Sequence, residues 1–265
     1  MKKYWHVLNV GIQNTLVYRV NFLFRAFFGL IPLFAIISLW KAVYSSKSGD
    51  VGDYSLSDMI SYYLLVTIVD ALTAVYDDDW QIAGDIRDGQ ISQFLLKPID
   101  YLAYRFTLFS AGRMIYTALA LIPITLIVFL HRKHFVVPDV STLALFGCSI
   151  LLTAALQFLL SYTMALLAFW FLEISTFIFI VFAFEYIAGG HLFPLDILPP
   201  ALAKLMMWTP FPYQMFFPVS VYLGKISGSQ VYTGLIIQAG WVLVAFLLAR
   251  FMWNRGIRKY SAVGG

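Results

Sequence analysis

Charge is what this chain has least of. Asp, Glu, Lys and Arg make up 12% of its 265 residues against 61% hydrophobic, roughly half the charge of a soluble globular chain. That leaves too little polar surface to enclose a water-soluble core, and the chain reads as an integral membrane protein. The formal charge is +4, yet Lys and Arg sit mostly at the ends of apolar runs and not on one basic face, so no nucleic-acid partner is expected. Cysteine is nearly absent. Cys148 stands alone, which excludes an intramolecular disulfide and leaves the redox compartment open. No cleaved secretory leader is expected either, because His6, Asn9, Gln13 and Asn14 break the apolar run at the start. No phosphate-binding G-x-x-x-x-G-K-[ST] loop occurs: Gly224 and Lys225 are followed by Ile226, and no acidic Mg²⁺ site is evident. The chain cannot hydrolyse ATP alone. His131 and His134 share one loop and His191 has no ligand partner at fixed spacing, so no metal site is expected either.

Long apolar runs are what the sequence does have. Measured against the roughly 20 residues a helix needs to cross the hydrocarbon, they predict an all-α membrane protein in one domain, residues 1–265. Its six spans lie at about 20–44, 59–76, 114–130, 142–165, 173–187 and 231–253. The fourth and fifth come from one long apolar region, divided by a tight turn near 169–172. Ser55 and Asp58 have the spacing of a capping box ahead of the second span. Over residues 4–18, Trp5, Leu8, Ile12 and Leu16 fall on one helical stripe with His6, Asn9 and Gln13 off it. This predicts a helix lying in the membrane interface, anchored by Trp5, in preference to a plain extension of the first span. Residues 189–224 hold Pro194, Pro199, Pro200, Pro210, Pro212 and Pro218 among aromatics. Such a stretch is too apolar for a solvent loop and too broken for a span, which fits re-entrant half-helices.

Six crossings put both termini on one side. Twelve of the 18 Lys and Arg residues then share that side, and by the positive-inside rule the termini and residues 77–100 face the cytoplasm while 45–55 face outside. Arg132 and Lys133 run against this bias.

Residues 77–100, DDDWQIAGDIRDGQISQFLLKPID, form the longest polar interruption. Three acids open the stretch, as suits a helix N-terminus. Trp80, Ile82 and Ile86 give a first short helix an apolar stripe, Gly89 can end it in a left-handed cap, and Ile91, Phe94 and Leu95 begin a second stripe that Pro98 interrupts. Two short helices between long spans have little core of their own to bury against. Their apolar faces therefore meet either a partner protein or the headgroup surface.

Three acids lie in or near the spans: Asp70, Glu173 and Glu185. Acids are expensive in lipid and face a cavity or a partner group. Glu185, about three turns into the fifth span, lines a translocation path, locks subunits together, or bonds a Tyr or Arg of another helix. His191 with Glu185 or Asp196 is the sole grouping that a membrane-embedded enzyme could use.

With these residues in view, the chain resembles the permease subunits of bacterial ATP-binding-cassette exporters of the second permease type. The resemblance rests on IRDGQISQFLLKPID and on AGGHLFPLDILPPALAKLMMWTPFPYQ, with a weaker match in TLVYRVNFLF, and covers nearly the whole chain. It implies that the first segment includes a coupling helix seated on an ATPase, giving Ile86, Arg87, Gly89, Ile91, Leu95, Leu96 and Pro98 that role, with Trp80, Ile82 and Phe94 beside them. It implies an extracellular re-entrant hairpin over the exit at Gly190, Pro194, Pro199, Pro210 and Tyr213. It further implies two ATPase subunits that hold the ATP and Mg²⁺, a second permease, identical or similar, and a place among the lipids of the bacterial inner membrane. The expected function is ATP-driven export of a hydrophobic or amphipathic small molecule. Lipid or glycolipid flipping, a membrane enzyme, or a structural or signalling subunit are the alternatives.

Overall fold

The computed structural model describes residues 2–46, 49–75, 78–135 and 137–260. Lys47, Tyr76 and Asp77 lie outside the described residues, so one counted charge, the end of the second span and the first acid of the polar stretch do too. Among the described residues the chain is all-helical, and the nearest approach to a sheet is an isolated bridge between Val51 and Tyr54.

The helices are α1 (Lys2–Val17), α2 (Arg19–Phe28), α3 (Leu30–Ser46), α4 (Leu56–Thr73), α5 (Asp78–Arg87), α6 (Ile91–Leu95), α7 (Tyr101–Leu130), α8 (Val140–Ala165), α9 (Ser175–Ala188), α10 (Pro200–Met206), α11 (Phe216–Tyr222) and α12 (Ser229–Lys259). Five helical stretches are long and apolar enough to cross a membrane: Arg19–Ser46, Leu56–Thr73, Tyr101–Leu130, Val140–Phe169 and Ser229–Lys259. The region read as a fifth span holds only α9, 14 residues long. At 1.5 Å per residue it reaches about 21 Å, short of a hydrocarbon core of about 30 Å. The chain continues past Gly189 to Asp196, which accepts a hydrogen bond from the Tyr54 hydroxyl at 3.0 Å just ahead of α4.

Local chemistry sets the helix ends. Ser55 and Asp58 form the capping box on α4, and Asp100 accepts from the Ala103 N–H at 2.9 Å to open α7. That cap starts α7 well before residue 114. Arg105, which precedes the apolar run at 114–130, is a buried residue inside the helix, with a guanidinium 3.4 Å from Asp85 of α5.

Contacts sort the loops into two ends. At one, Lys3 donates to the Pro98 carbonyl, Tyr4 to Asp100 is closed by the backbone N–H of Asp100 at 3.2 Å, Arg250 pairs with Asp100, and Ser92 and Tyr260 share a hydrogen bond of 3.0 Å. At the other, Lys225 donates to the Asp53 carbonyl at 2.7 Å and Ser57 bonds His134 at 2.8 Å. The start of α1, the end of α12 and the described part of the polar stretch therefore share one end of the bundle.

A polar knot ties the bundle together. Gln238 of α12, fully buried, donates to the carbonyls of Tyr213 and Ser149 at 2.8 and 3.1 Å and to the Thr153 hydroxyl at 3.0 Å, and accepts from the Ser149 hydroxyl at 3.0 Å. Unsatisfied polar groups are costly where no water reaches them. Gln238→Leu is expected to lower stability by about 1–3 kcal/mol, read as a lower thermal midpoint of the detergent-solubilised protein with assembly intact. An unchanged midpoint would mean that the knot contributes nothing net.

Candidate functional site

The polar stretch is held by the chain's own core. Ile82, Ile86 and Ile91 are buried in one cluster with Tyr101, Leu102, Phe158 and Tyr162, and α5 packs on α8 and on the 3₁₀ turn Leu166–Phe169 that follows it. This corrects the expectation that the two short helices have little core of their own, and it removes Ile82, Ile86 and Ile91 from any surface that a partner could touch. The physical reason is tertiary: the α8–α9 turn folds back beneath the stretch. Phe94 is half-buried against the rings of Tyr101 and Tyr104, with centroids 5.1 and 4.9 Å away. Gly89 separates α5 from α6 at φ +76°, the left-handed conformation its position requires. Tyr101 donates to Asp85 at 2.6 Å beside Arg105, which ties α5 to the start of α7.

Beyond Trp80 and Gln81 at its start, the stretch leaves a narrow rim exposed at its far end. Leu95 is 54% and Leu96 89% exposed, and Arg87, Asp88, Gln90, Gln93, Lys97 and Pro98 surround them. Arg87 also donates to the Leu172 carbonyl at 3.3 Å, tying the rim to the α8–α9 turn.

A second site lies beside it. A cavity of about 600 Å³ opens between the last turns of α4, the start of α5, α8 and α9, and Trp80 forms part of its wall. Asp70 and Glu185 both line it, together with Gln157 and His191. The His191 ring stands 3.9 Å from the Asp70 carboxylate and stacks on Tyr186 at 5.3 Å between centroids. Glu185 thus lines this opening, while Phe179, Phe182 and Phe184 leave much of α9 exposed. Glu173 stands apart from the other two acids. It accepts from the Ser175 N–H at 2.8 Å where α9 begins, and this bonding with Ser175 holds its carboxyl below the ordinary range. Asp196, paired with Tyr54, does not line the cavity, and among the described residues no group of three potential metal ligands occurs.

The proline-rich region is a chain of short helices. The Gly190 carbonyl accepts from the buried Tyr62 hydroxyl at 2.6 Å, Pro194 precedes the 3₁₀ turn Leu195–Ile197, Pro199 caps α10, and Pro210 opens a second 3₁₀ turn, Phe211–Tyr213. Tyr213 is buried at the Gln238 knot, and every residue of α11 is buried. Arg105, Gln157, Tyr62 and Gln238 were not singled out from the sequence as partners of these sites. Their partners lie on other helices, and no local spacing announces them.

A family model described as ABC-2 family transporter protein matches residues 30–264, a span that takes in the rim, the cavity and the proline-rich region. No curated protein matches the chain. By that match the chain belongs to the ABC-2 family of transporter proteins and is a membrane-spanning permease subunit of that type.

Proposed function

We propose that this permease subunit, with a second permease and two ATPase subunits, forms the pathway for ATP-driven export of a hydrophobic or amphipathic small molecule. The observation that carries the reading is one core-seated stretch with two faces. Trp80 at the start of α5 walls the cavity, Leu95 and Leu96 at the end of α6 form the exposed rim, and Ile82, Ile86 and Ile91 between them are fixed in the core. A displacement of the rim is therefore passed along the seated stretch to the cavity wall. ATP-driven closure of the partners shifts the permease between inward- and outward-open states, the ATPases supplying the differential contacts that bias the two. In the family, hydrolysis resides in those partner subunits.

In this reading α9 and the chain from Gly189 to Asp196 together make a sixth crossing, α10 and α11 are re-entrant elements over the exit, and the rim faces the cytoplasm of a bacterial inner membrane. The wholly buried α11 supports the re-entrant assignment, since irregular backbone at membrane depth needs protein around it. The reading is tested by co-expression with an ATPase partner, co-purification, and ATP-dependent cargo movement in proteoliposomes. A stable complex that hydrolyses ATP and moves nothing would sink the transport claim.

Orientation has its own test. Single cysteines at Ser46 and Gln93, both exposed and at opposite ends, in a Cys148→Ser background, are expected to label from opposite sides of intact cells, Ser46 from outside. Labelling of both from outside overturns the topology.

A further inference from the structure

We infer that the cavity between α4, α8 and α9 binds the ammonium head of a cationic amphiphile, with the Glu185 and Asp70 carboxylates and the Gln157 side-chain carbonyl as its acceptors. The inference rests on the transport reading of this same cavity and adds the sign and the hydrogen-bonding character of the cargo.

Three carboxylates line the space, those of Asp70, Asp79 and Glu185, and among the described lining residues there is no Lys or Arg. Asp70 is partly offset, by His191 at 3.9 Å and by the field of Arg113 on α7, and Asp79 has an interaction of its own. Glu185 differs. Its carboxylate has no hydrogen-bond or ion-pair partner among the described residues, and the one charged neighbour that acts on it is another acid, Asp70.

A cluster of acids alone would say little. Gln157 supplies the independent observation: it is 7% exposed, lines the same cavity, and its side-chain oxygen has no hydrogen-bond partner. Buried acceptors left unpaired are rare and costly, and this one stands in the wall that holds the acids. An acceptor beside carboxylates calls for an N–H-bearing cation. A group that carries charge without donors leaves Gln157 unsatisfied, and an anion meets repulsion from both acids.

The remaining wall fits the rest of such a ligand. Trp80, Phe179, Phe182 and Tyr186 contribute rings, whose faces attract ammonium groups and whose bulk accepts an alkyl or aryl tail. A volume of about 600 Å³ falls within the range of small-molecule sites, roughly 300–1,000 Å³.

The test uses the permease–ATPase complex in phosphatidylcholine nanodiscs without nucleotide. Labelled dodecylammonium and dodecyl sulfate, two heads on one tail, are measured by equilibrium dialysis against empty nanodiscs. Saturable binding of the ammonium alone is expected, weakened at least about tenfold by Glu185→Gln and by Asp70→Asn. Glu185→Gln is the deciding variant, because it breaks no bond within the protein and should leave the fold unchanged. Equal binding of both heads, or an affinity for dodecylammonium that Glu185→Gln leaves unchanged, overturns the inference. The two readings fail separately: lost ATPase capture counts against the transport assembly, whereas binding is read in the absence of turnover.

Discussion

Leu96→Asp should abolish ATPase capture and leave the permease folded, whereas Ile91→Asp, five residues away, should prevent the permease from folding at all. The two differ only in which way the side chain faces. Leu96 is 89% exposed beside Leu95, and Ile91 is 0% exposed in the core cluster. At an exposed anchor of a protein interface, truncation typically costs about 2 kcal/mol or more, some thirtyfold in affinity. A charge facing an apolar groove adds the penalty of burying it unpaired. At Ile91 the same charge is buried inside the monomer, where breaking or stranding a buried ion costs about 3–5 kcal/mol. Capture is measured by co-purification with the ATPase, and folding by the monodisperse fraction in detergent. Wild-type capture by Leu96→Asp would mean that the rim lies on the headgroups and touches no partner, and a well-folded Ile91→Asp would mean that α5 and α6 do not seat in the core.

That contrast marks where the sequence could be read and where it could not. Membrane spans are written in local composition, so α3, α4, α8 and α12 lie where their apolar runs lie, and the capping box of Ser55 and Asp58 follows from a spacing of three. The left-handed turn at Gly89 was legible for the same reason. Seating is not a local property. The stripe of Ile82, Ile86 and Ile91 was visible as an apolar face, but the face it meets is made by Tyr101, Phe158 and Tyr162, and nothing within α5 or α6 encodes them. The start of α7 was missed because a buried Arg105 reads, in one dimension, like an interfacial arginine; its partners on other turns and helices, Asp85, Gln81 and the Tyr101 ring, explain it. Of the three acids, the sequence could say that each needed a reason. It could not say that Asp70 and Glu185 share a cavity while Glu173 only starts a helix, because their separation in the chain carries no information about their separation in space.

At the turn after α9 a single methyl group should meet both backbone strain and a packed neighbour. Gly190 sits at φ +92°, and a Cβ there would lie 2.7 Å from the Tyr62 hydroxyl and 3.0 Å from Cβ of Phe216. The left-handed conformation alone costs an L-residue roughly 1–2 kcal/mol, and overfilling a packed site typically adds about 1–3 kcal/mol. Tyr62 cannot simply step aside, because it is fully buried in α4 and its hydroxyl donates to the Gly190 carbonyl. Nor is Phe216 free to withdraw, since its backbone N–H donates to the Gly189 carbonyl at 2.9 Å at the head of the buried α11. Gly190→Ala is therefore expected to lower the thermal midpoint of the purified subunit by roughly 5 °C or more. Tyr62→Phe, which removes only the hydrogen bond, should cost about 1 kcal/mol. The double variant separates the causes: deleting the hydroxyl relieves the 2.7 Å overlap but neither the backbone strain nor the contact with Phe216, so it should recover part of the loss and not all of it. Because Glu185 and Tyr186 occupy the last turn of α9 just before this elbow and line the cavity, Gly190→Ala should also shift the cavity wall and impair transport at temperatures where the subunit is still folded. A Gly190→Ala subunit as stable and as active as wild type would mean that the elbow is not fixed by its contacts with Tyr62 and Phe216.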